Sequence, residues 1–458
     1  MIKIRNIQQL IENGETQLNR KARALALKSF ESALKAVDPR QILESRLSLK
    51  NSVLKVNGHS FDFKKLRNVY VVGGGKAGGT MAEALERILG KHITAGFVNI
   101  PPTSKHKTKI VELHEASHPI PDQSGVEGTQ RMVEIAEQTK KEDLVICLVS
   151  GGGSSLMPLP RGQISIADKR SITEDLLKSG AAINEINTVR KHISDLKGGW
   201  LAKRAYPATI LNLILSDVVG DSLDFIASGP TVPDSTTFSD AIKVLKRHRL
   251  WDKAPTSIKR VLSEGEKGLI VETPKASDKA FKRVYNIVVG NNRSASLAAC
   301  QCLKSSELNT LMLTSALEGE SRYAGVMLAS IAREVSVSGN PVPKPAGIVA
   351  GGETTVSVTG KGLGGRNQEI VLAAALKLGD VDGVVIASLS TDGVDGPTDA
   401  AGAIGDGKTL VRGTEMELSA DEILAENNSY NFFSKLNDLI FTGPTGTNVN
   451  DISVIVVV

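Results

Sequence analysis

Val69-Tyr70-Val71-Val72-Gly73-Gly74-Gly75-Lys76-Ala77-Gly78 sets the architecture of this chain. Four apolar residues run into three glycines and a lysine, and Met81-Ala82-Glu83-Ala84-Leu85-Glu86-Arg87-Ile88-Leu89 follows. Such an order predicts a buried strand, a tight turn and an amphipathic helix. Turns of this kind bind anions, because backbone N–H groups and the positive end of the helix face the same point. Lys76 adds a full positive charge there. The glycines also fit the G-x-G-x-x-G spacing of dinucleotide folds, which place an acidic residue about 20 residues later to hold a ribose. The next predicted strand ends Phe97-Val98-Asn99-Ile100-Pro101, with no acid. The turn therefore reads as phosphate chemistry rather than dinucleotide binding.

Working outward, Ile93–Ile100, Ile110–Leu113, Leu144–Val149 and Ile210–Leu215 are further strand candidates. Apolar runs that alternate with amphipathic helices imply a parallel sheet covered on both faces. Residues 20–46 carry a helical apolar pattern. Leu245–Gly268 is charged and reads as peripheral, and residues 274–282 read as a linker. A second set opens with the strand Val284–Val289 and continues through Thr310–Thr314, Gly347–Val349, Thr354–Val358 and Gly383–Ser388. The β-branched run Ser453–Val458 is a final strand that could pair in either domain. The expectation is two α/β domains: a larger, Rossmann-like one with a parallel sheet over 1–273, and a smaller C-terminal one over 283–458. A length of 458 residues suits that division at roughly 150 residues per domain.

Aromatics make up only 4% of the chain, so the cores must be aliphatic. A net charge of +5 suits an anionic small substrate. Basic residues do not cluster with aromatics, so no nucleic-acid partner is expected. Three cysteines make no disulfide framework, and Cys300 and Cys302 have the wrong spacing for zinc. Met1-Ile2-Lys3-Ile4-Arg5 lacks a signal-peptide core, and no apolar run approaches the ~20 residues of a membrane span. A cytoplasmic location and no membrane partner are expected; a homo-oligomer is left open.

Five further motifs carry chemistry. Ser150-Gly151-Gly152-Gly153-Ser154-Ser155 follows a strand, and its glycines and hydroxyls can wrap an anion. Together with Gly74 and Gly75 it forms the expected phosphate site. Ser216-Asp217-Val218-Val219-Gly220-Asp221 places Asp217 at a strand end, where it can hold Mg²⁺ or accept a proton. Asn187, Arg190 and Lys191 can reach an anion from adjacent helical turns, whereas His114, His118 and His192 read as structural. A glycine-rich hairpin is expected to deliver Arg366-Asn367-Gln368-Glu369 to a helix start, with Arg366 suited to a carboxylate or phosphate. Ser390-Thr391-Asp392-Gly393-Val394-Asp395-Gly396-Pro397-Thr398-Asp399 reads as a loop for a metal or a polar substrate. Gly402-Ala403-Ile404-Gly405-Asp406-Gly407-Lys408-Thr409 matches the Walker A pattern but lacks the preceding buried strand, and reads as a decoy.

VVGGGKAGG, VSGGGSSLM, INTVRKH, LSDVVGD, IASGPTVPDS, GGETTV, GGRNQE and TDGVDGPTDAAGA occur in that order. From about residue 20 to the C-terminus the chain resembles the glycerate 2-kinases of the MOFRL type. The resemblance implies a two-domain α/β enzyme, its C-terminal domain of the MOFRL type, with an active-site cleft between the domains. It implies transfer of the γ-phosphoryl of ATP to the 2-hydroxyl of D-glycerate, giving 2-phosphoglycerate, with Mg²⁺ or another divalent cation. Lys76 and Arg366 are the residues it most strongly implies in binding and catalysis, with Asp217 and the GGGSS loop lining the cleft. The expected substrate contacts are Lys76, Arg190, Arg366 and Asn367, the expected catalytic groups Lys76, Asp217 and Arg366, and the expected metal ligands Asp217 and Asp392. Some members of that family were labelled hydroxypyruvate reductases. An NAD(P)-dependent reductase and a non-catalytic phosphosugar-binding module are the competing readings.

Overall fold

A computed structural model describes residues 2–102 and 106–458. The chain forms two compact units, Ile42–Val289 and a composite of the segment up to Gln41 with Gly290–Val458. This departs from the expected 1–273 and 283–458 at both ends, for physical reasons given below.

The Ile42–Val289 unit opens with a small antiparallel sheet of β1 (Leu47–Lys50), β2 (Val53–Val56) and β3 (His59–Asp62). Its main sheet contains β4 (Val69–Gly74), β5 (Ala95–Ile100), β6 (Val111–Glu115), β7 (Leu144–Ser150), β8 (Thr209–Leu215) and β9 (Val284–Gly290). The order is β6-β5-β4-β7-β8-β9, with the pairings from β6 to β8 all parallel. All seven residues of β7 are buried, as a parallel sheet covered on both faces requires. The chain moves outward from β4 to β6, then returns to lay β7 on the other side of β4. That reversal is the switch point at which open α/β sheets leave a crevice beyond the strand ends. The Gly73–Gly75 turn leaves β4 and the Gly151–Gly153 loop leaves β7, so topology sets them side by side.

β9 was expected to open the second domain. It is instead the edge strand beside β8. Its Val284 and Val288 pack on the core that Ile210 and Ile214 share with Ala205. The segment Lys279–Arg283, read as linker, is a short helix leading into it. Residues 245–268 are likewise not peripheral, because Leu245, Ile258, Val261 and Leu262 close a helical core with Ile172, Ile186 and Val189.

The composite unit holds β10 (Asn309–Leu317), β11 (Ala346–Gly352), β12 (Val384–Ser390), β13 (Gly402–Asp406), β14 (Leu439–Ile440) and β15 (Asp451–Val457). The sheet order is β10-β11-β15-β12-β13-β14, and only β10 and β11 run parallel. β15 thus lies in the middle of this sheet, between β11 and β12. Thr354–Val358 forms no strand, and the expected hairpin before Arg366 is an irregular loop tied to the Asn427 side chain. The Walker-like residues form the buried strand β13 followed by the helix Thr409–Glu415.

The helix Gln17–Ala36 packs on this unit through Leu27, Phe30 and Leu34 and is pinned there by a buried guanidinium. Arg23 is 0% exposed and donates to Asp406 at 2.6 Å and to Asp438 at 2.7 and 3.1 Å. Among the described residues no helix is long and apolar enough to cross a membrane.

Candidate active site

The two glycine loops of the Ile42–Val289 unit interlock. Gly75 has a φ of 151°, and a Cβ there would stand 2.1 Å from the Ser150 hydroxyl. Lys76 N donates to Gly151 O at 2.7 Å, and Ala77 N to Ser150 Oγ at 3.0 Å. Gly75 N donates to Asn99 O at 3.3 Å and Gly78 N to Gly75 O at 3.0 Å. The first turn was expected to offer its N–H groups to a phosphate. Those of Lys76 and Ala77 hold the two loops together, that of Gly75 ties the turn to β5, and that of Gly78 closes the turn on itself. Gly74, Gly75 and Ser150 therefore have a packing role in this structure, Ser150 being 1% exposed.

The second loop has the open donors. Gly152 adopts φ 78° and introduces the short helix Gly153–Leu156. Ser155 and Leu156 donate to Gly152 O, and Met157 to Gly153 O. The N–H groups of Gly151, Gly152, Gly153 and Ser154 have no intramolecular acceptor among the described residues. Buried backbone donors are otherwise almost always paired. A Cβ on Gly152 would lie 2.8 Å from the His118 ring and 3.4 Å from Lys76 Cγ, so both side chains rest on this loop. Lys76 and the loop thus come together as expected. The contact of His118 was not foreseen.

Behind the loop, Ser154 Oγ lies 3.0 Å from Ser228 Oγ, which donates to Asn187 Oδ1 at 3.0 Å. Ala227 and Ser228 have φ of 51° and 58° and Gly229 62°, a run of left-handed residues that costs about 1–2 kcal/mol at each non-glycine. Lys197 fixes this turn: its Nζ donates to Ser154 O at 2.9 Å, Ser154 Oγ at 3.0 Å and Ala227 O at 3.3 Å. It is 1% exposed, and burial, then the charges of Lys169 and Arg190, hold its ammonium well below the ordinary lysine range. It lies beyond the helix Ile183–His192, at the Lys197-Gly198-Gly199 break. Asp217 lies half-buried just past the end of β8.

His192 is structural, as expected. Its Nδ1 meets Thr188 O at 2.7 Å and its Nε2 meets Glu272 Oε1 at 2.9 Å. Burial opposes the charge on Glu272, but His192 and the N–H groups of Phe238 and Thr273 outweigh it and bring the carboxyl from 4.5 down to about 2. Because the folded value lies below the unfolded one, this charge stabilises the fold above about pH 4.5, and that contribution is lost as pH falls toward 2. Glu272→Gln is expected to cost about 1–2 kcal/mol at pH 7 after solvent screening. Urea midpoints at several pH values should show the difference from the parent protein closing below pH 4. A difference independent of pH would remove Glu272 from this role.

In the composite unit, Arg366 starts the helix Arg366–Leu378. It grips Asp451 at two points, Nε to Oδ2 at 2.5 Å and Nη2 to Oδ1 at 2.9 Å, and reaches Glu353 Oε1 at 2.6 Å. Burial works against the guanidinium charge, but Asp451, Glu353 and Asp395 outweigh it. Burial also pushes the Asp451 carboxyl up, with Asp395 adding to the push and Arg366 opposing it. Three of the five guanidinium donors are engaged, which leaves two. Asn367, expected at the substrate, is 0% exposed; its amide donates to Asp395 at 3.1 Å and accepts from Ser388 at 2.6 Å. It braces the helix start instead. Asp392 Oδ1 accepts from Ser390 Oγ at 2.8 Å and from Val394 N at 3.0 Å, which shapes its own turn.

Among the described residues no three His, Cys, Asp or Glu side chains are grouped to hold a metal. Magnesium in phosphoryl transfer takes one or two carboxylates and completes its shell with phosphate oxygens and water. A single strand-end carboxylate such as Asp217 fits that requirement.

Two family models match the chain: a domain of unknown function, DUF4147, over residues 25–263, and the MOFRL family over 346–451. A glycerate 2-kinase of Pyrococcus horikoshii is 41% identical over 95% of this chain and 97% of its own. A D-glycerate 2-kinase of Thermotoga maritima is 41% identical over 93% of this chain and 96% of its own. The chain belongs to the glycerate 2-kinase family of the MOFRL type. A crystal structure of glycerate kinase from Thermotoga maritima superposes with a TM-score of 0.84 at 40% identity, covering 95% of this chain and 99% of that one. β9 lies outside both domain models, and the first of them runs across the division between Gln41 and Ile42.

Proposed function

We propose that this protein transfers the γ-phosphoryl of ATP to the 2-hydroxyl of D-glycerate, giving 2-phosphoglycerate and ADP. The observation that carries the reading is the row of open N–H groups from Gly151 to Ser154 with the Lys76 stem lying on it. Phosphoryl transfer needs positioning and charge neutralisation more than covalent help from the protein. Lys76 and these N–H groups neutralise the transferring group. Arg366 offers its two remaining donors to the glycerate carboxylate, a two-point grip that aims C2 rather than C3. Asp217 is the cation ligand or the acceptor of the hydroxyl proton. It is preferred to Asp392, whose carboxylate already shapes a turn. A divalent cation supplies charge screening between the phosphates of ATP.

The reductase reading has less support. The N–H groups of Gly75, Lys76, Ala77 and Gly78 are all engaged, and Asn99 at the end of β5 is 0% exposed with its amide donating to Leu156 O at 2.7 Å. The deciding assay mixes ATP, Mg²⁺ and D-glycerate and identifies the product. 2-Phosphoglycerate is expected. 3-Phosphoglycerate as the product, or NADH consumption with hydroxypyruvate in the absence of ATP, would overturn the reading. Ligand-induced stabilisation without turnover would leave only a binding module.

A further inference from the structure

His118 stands just past the end of β6, yet its ring lies on the loop that leaves β7. In the order β6-β5-β4-β7 those two strands are separated by β5 and β4, which at ~4.8 Å between neighbours puts them about 14 Å apart. The segment that makes this crossing is tied down along its length. Ala116 N donates to Ile100 O at 2.9 Å, at the end of β5, and Arg170 Nε donates to Pro121 O. Asp122 then caps the helix Gln123–Glu137, accepting from Gly125 N at 2.9 Å. The imidazole is thus carried over the C-terminal edge of the parallel sheet, where open α/β sheets hold their ligands.

It arrives edge-on. His118 Cδ2 and Nε2 both lie 2.8 Å from the point where a Gly152 Cβ would stand, and Lys76 Cγ lies 3.4 Å from that same point. The ring edge and the lysine stem are therefore no farther apart than the sum of those distances. Only a residue without a side chain at position 152 admits the imidazole, and its φ of 78° favours glycine as well. His118, Lys76, Gly152 and Ser154 are each part-exposed, so all four are open to a solute. The edge that meets the loop is a nitrogen-bearing one. Packing alone would be served as well by an aliphatic side chain, which has nothing to offer an anion.

We propose that His118 is a phosphate-binding residue, its Nε2–H donating to an oxygen of the phosphate that Lys76 and the open N–H groups of Gly151–Ser154 receive. A neutral imidazole supplies one such donor, and a hydrogen bond to an anionic oxygen is about twice as strong as one between neutral groups. The donors then come from three separate loops, after β4, β6 and β7, so the sheet sets their spacing rather than any single turn. The ligand class is a phosphate ester or anhydride. Its assignment to the phosphates of ATP rests on the phosphotransferase reading.

His118→Phe keeps a flat ring over Gly152 and removes the donor, whereas His118→Gln returns an N–H near the place of Nε2. Sodium tripolyphosphate, titrated at matched ionic strength against the full chain and followed by thermal shift, reads binding without turnover. The parent protein should bind it. His118→Phe should bind at least about tenfold more weakly, the usual loss of one hydrogen bond to a charged group, and His118→Gln should recover most of that loss. In steady-state kinetics His118→Phe should raise the KM for ATP by a similar factor and leave that for D-glycerate within about twofold. Weaker inhibition by 2-phosphoglycerate at an unchanged KM for ATP would give the same contact to the product's phosphate. If His118→Phe fails to fold, His118→Leu, which also lacks a donor, takes its place. No shift in the parent, parental affinity in the donor-free variant, or a His118→Gln as weak as His118→Phe overturns the contact, and 2-phosphoglycerate formation then stands without it. A parent protein that binds tripolyphosphate through His118 yet makes no 2-phosphoglycerate keeps the contact and removes the kinase reading.

Discussion

Lys76→Met should lower kcat about 10³-fold, the loss usual when one preorganised charge is taken from a transition state. Methionine keeps the aliphatic stem that packs against the Gly152 loop, so the loop keeps its neighbour and loses only the ammonium. The Lys76 backbone N–H, which bridges to Gly151, is untouched. The thermal midpoint should therefore stay within about 2 °C of the parent value. Steady-state kinetics and a melting curve on one preparation test both halves. Near-parental turnover would take Lys76 out of the mechanism; a large drop in melting temperature would make it a structural residue.

Arg366→Lys should act through a different parameter. Lysine keeps the charge but cannot fork, so it loses the two-point grip on Asp451 together with the donors assigned to the substrate carboxylate. The KM for D-glycerate is expected to rise at least about tenfold while that for ATP stays within about twofold. Equal increases in both would mean that the guanidinium organises the unit and does not touch glycerate. Arg366→Ala is the poorer experiment. It strands the buried Asp451 carboxylate, a loss of about 3 kcal/mol by the usual cost of breaking such a pair.

The parallel sheet and its two glycine loops were legible because each strand is a short apolar run and each loop is written locally in glycines. Lys76, Arg366 and Asp217 stood out because they sit inside or beside those loops. What local pattern cannot report is the partner of a buried group. Arg23 meets Asp406 across 383 positions and Asp438 across 415, so the membership of the helix Gln17–Ala36 was invisible. β9 carries the same signal whichever sheet accepts it, and it was placed in the wrong one. Gly402–Asp406 was read only as part of a Walker-like decoy, yet it is a buried strand whose Gly405 packs against Val371. Lys169 and Lys197 look like ordinary helical lysines until their surroundings are known. Asn367 erred the other way: a polar residue in a functional motif proved to be bracing.

The discontinuous make-up of the composite unit bears on how the nascent chain is handled. Residues 42–289 are contiguous and can assemble while synthesis continues, in keeping with domain-by-domain folding on the ribosome. The helix Gln17–Ala36 emerges before them but waits for Asp438 to be translated. β15 is made after the other strands of its sheet, yet it occupies the middle of that sheet. Until residues 451–457 are translated, β11 and β12 lack the strand that joins them, and a ribosome stalled before that point holds a chain with one finished unit and one open sheet.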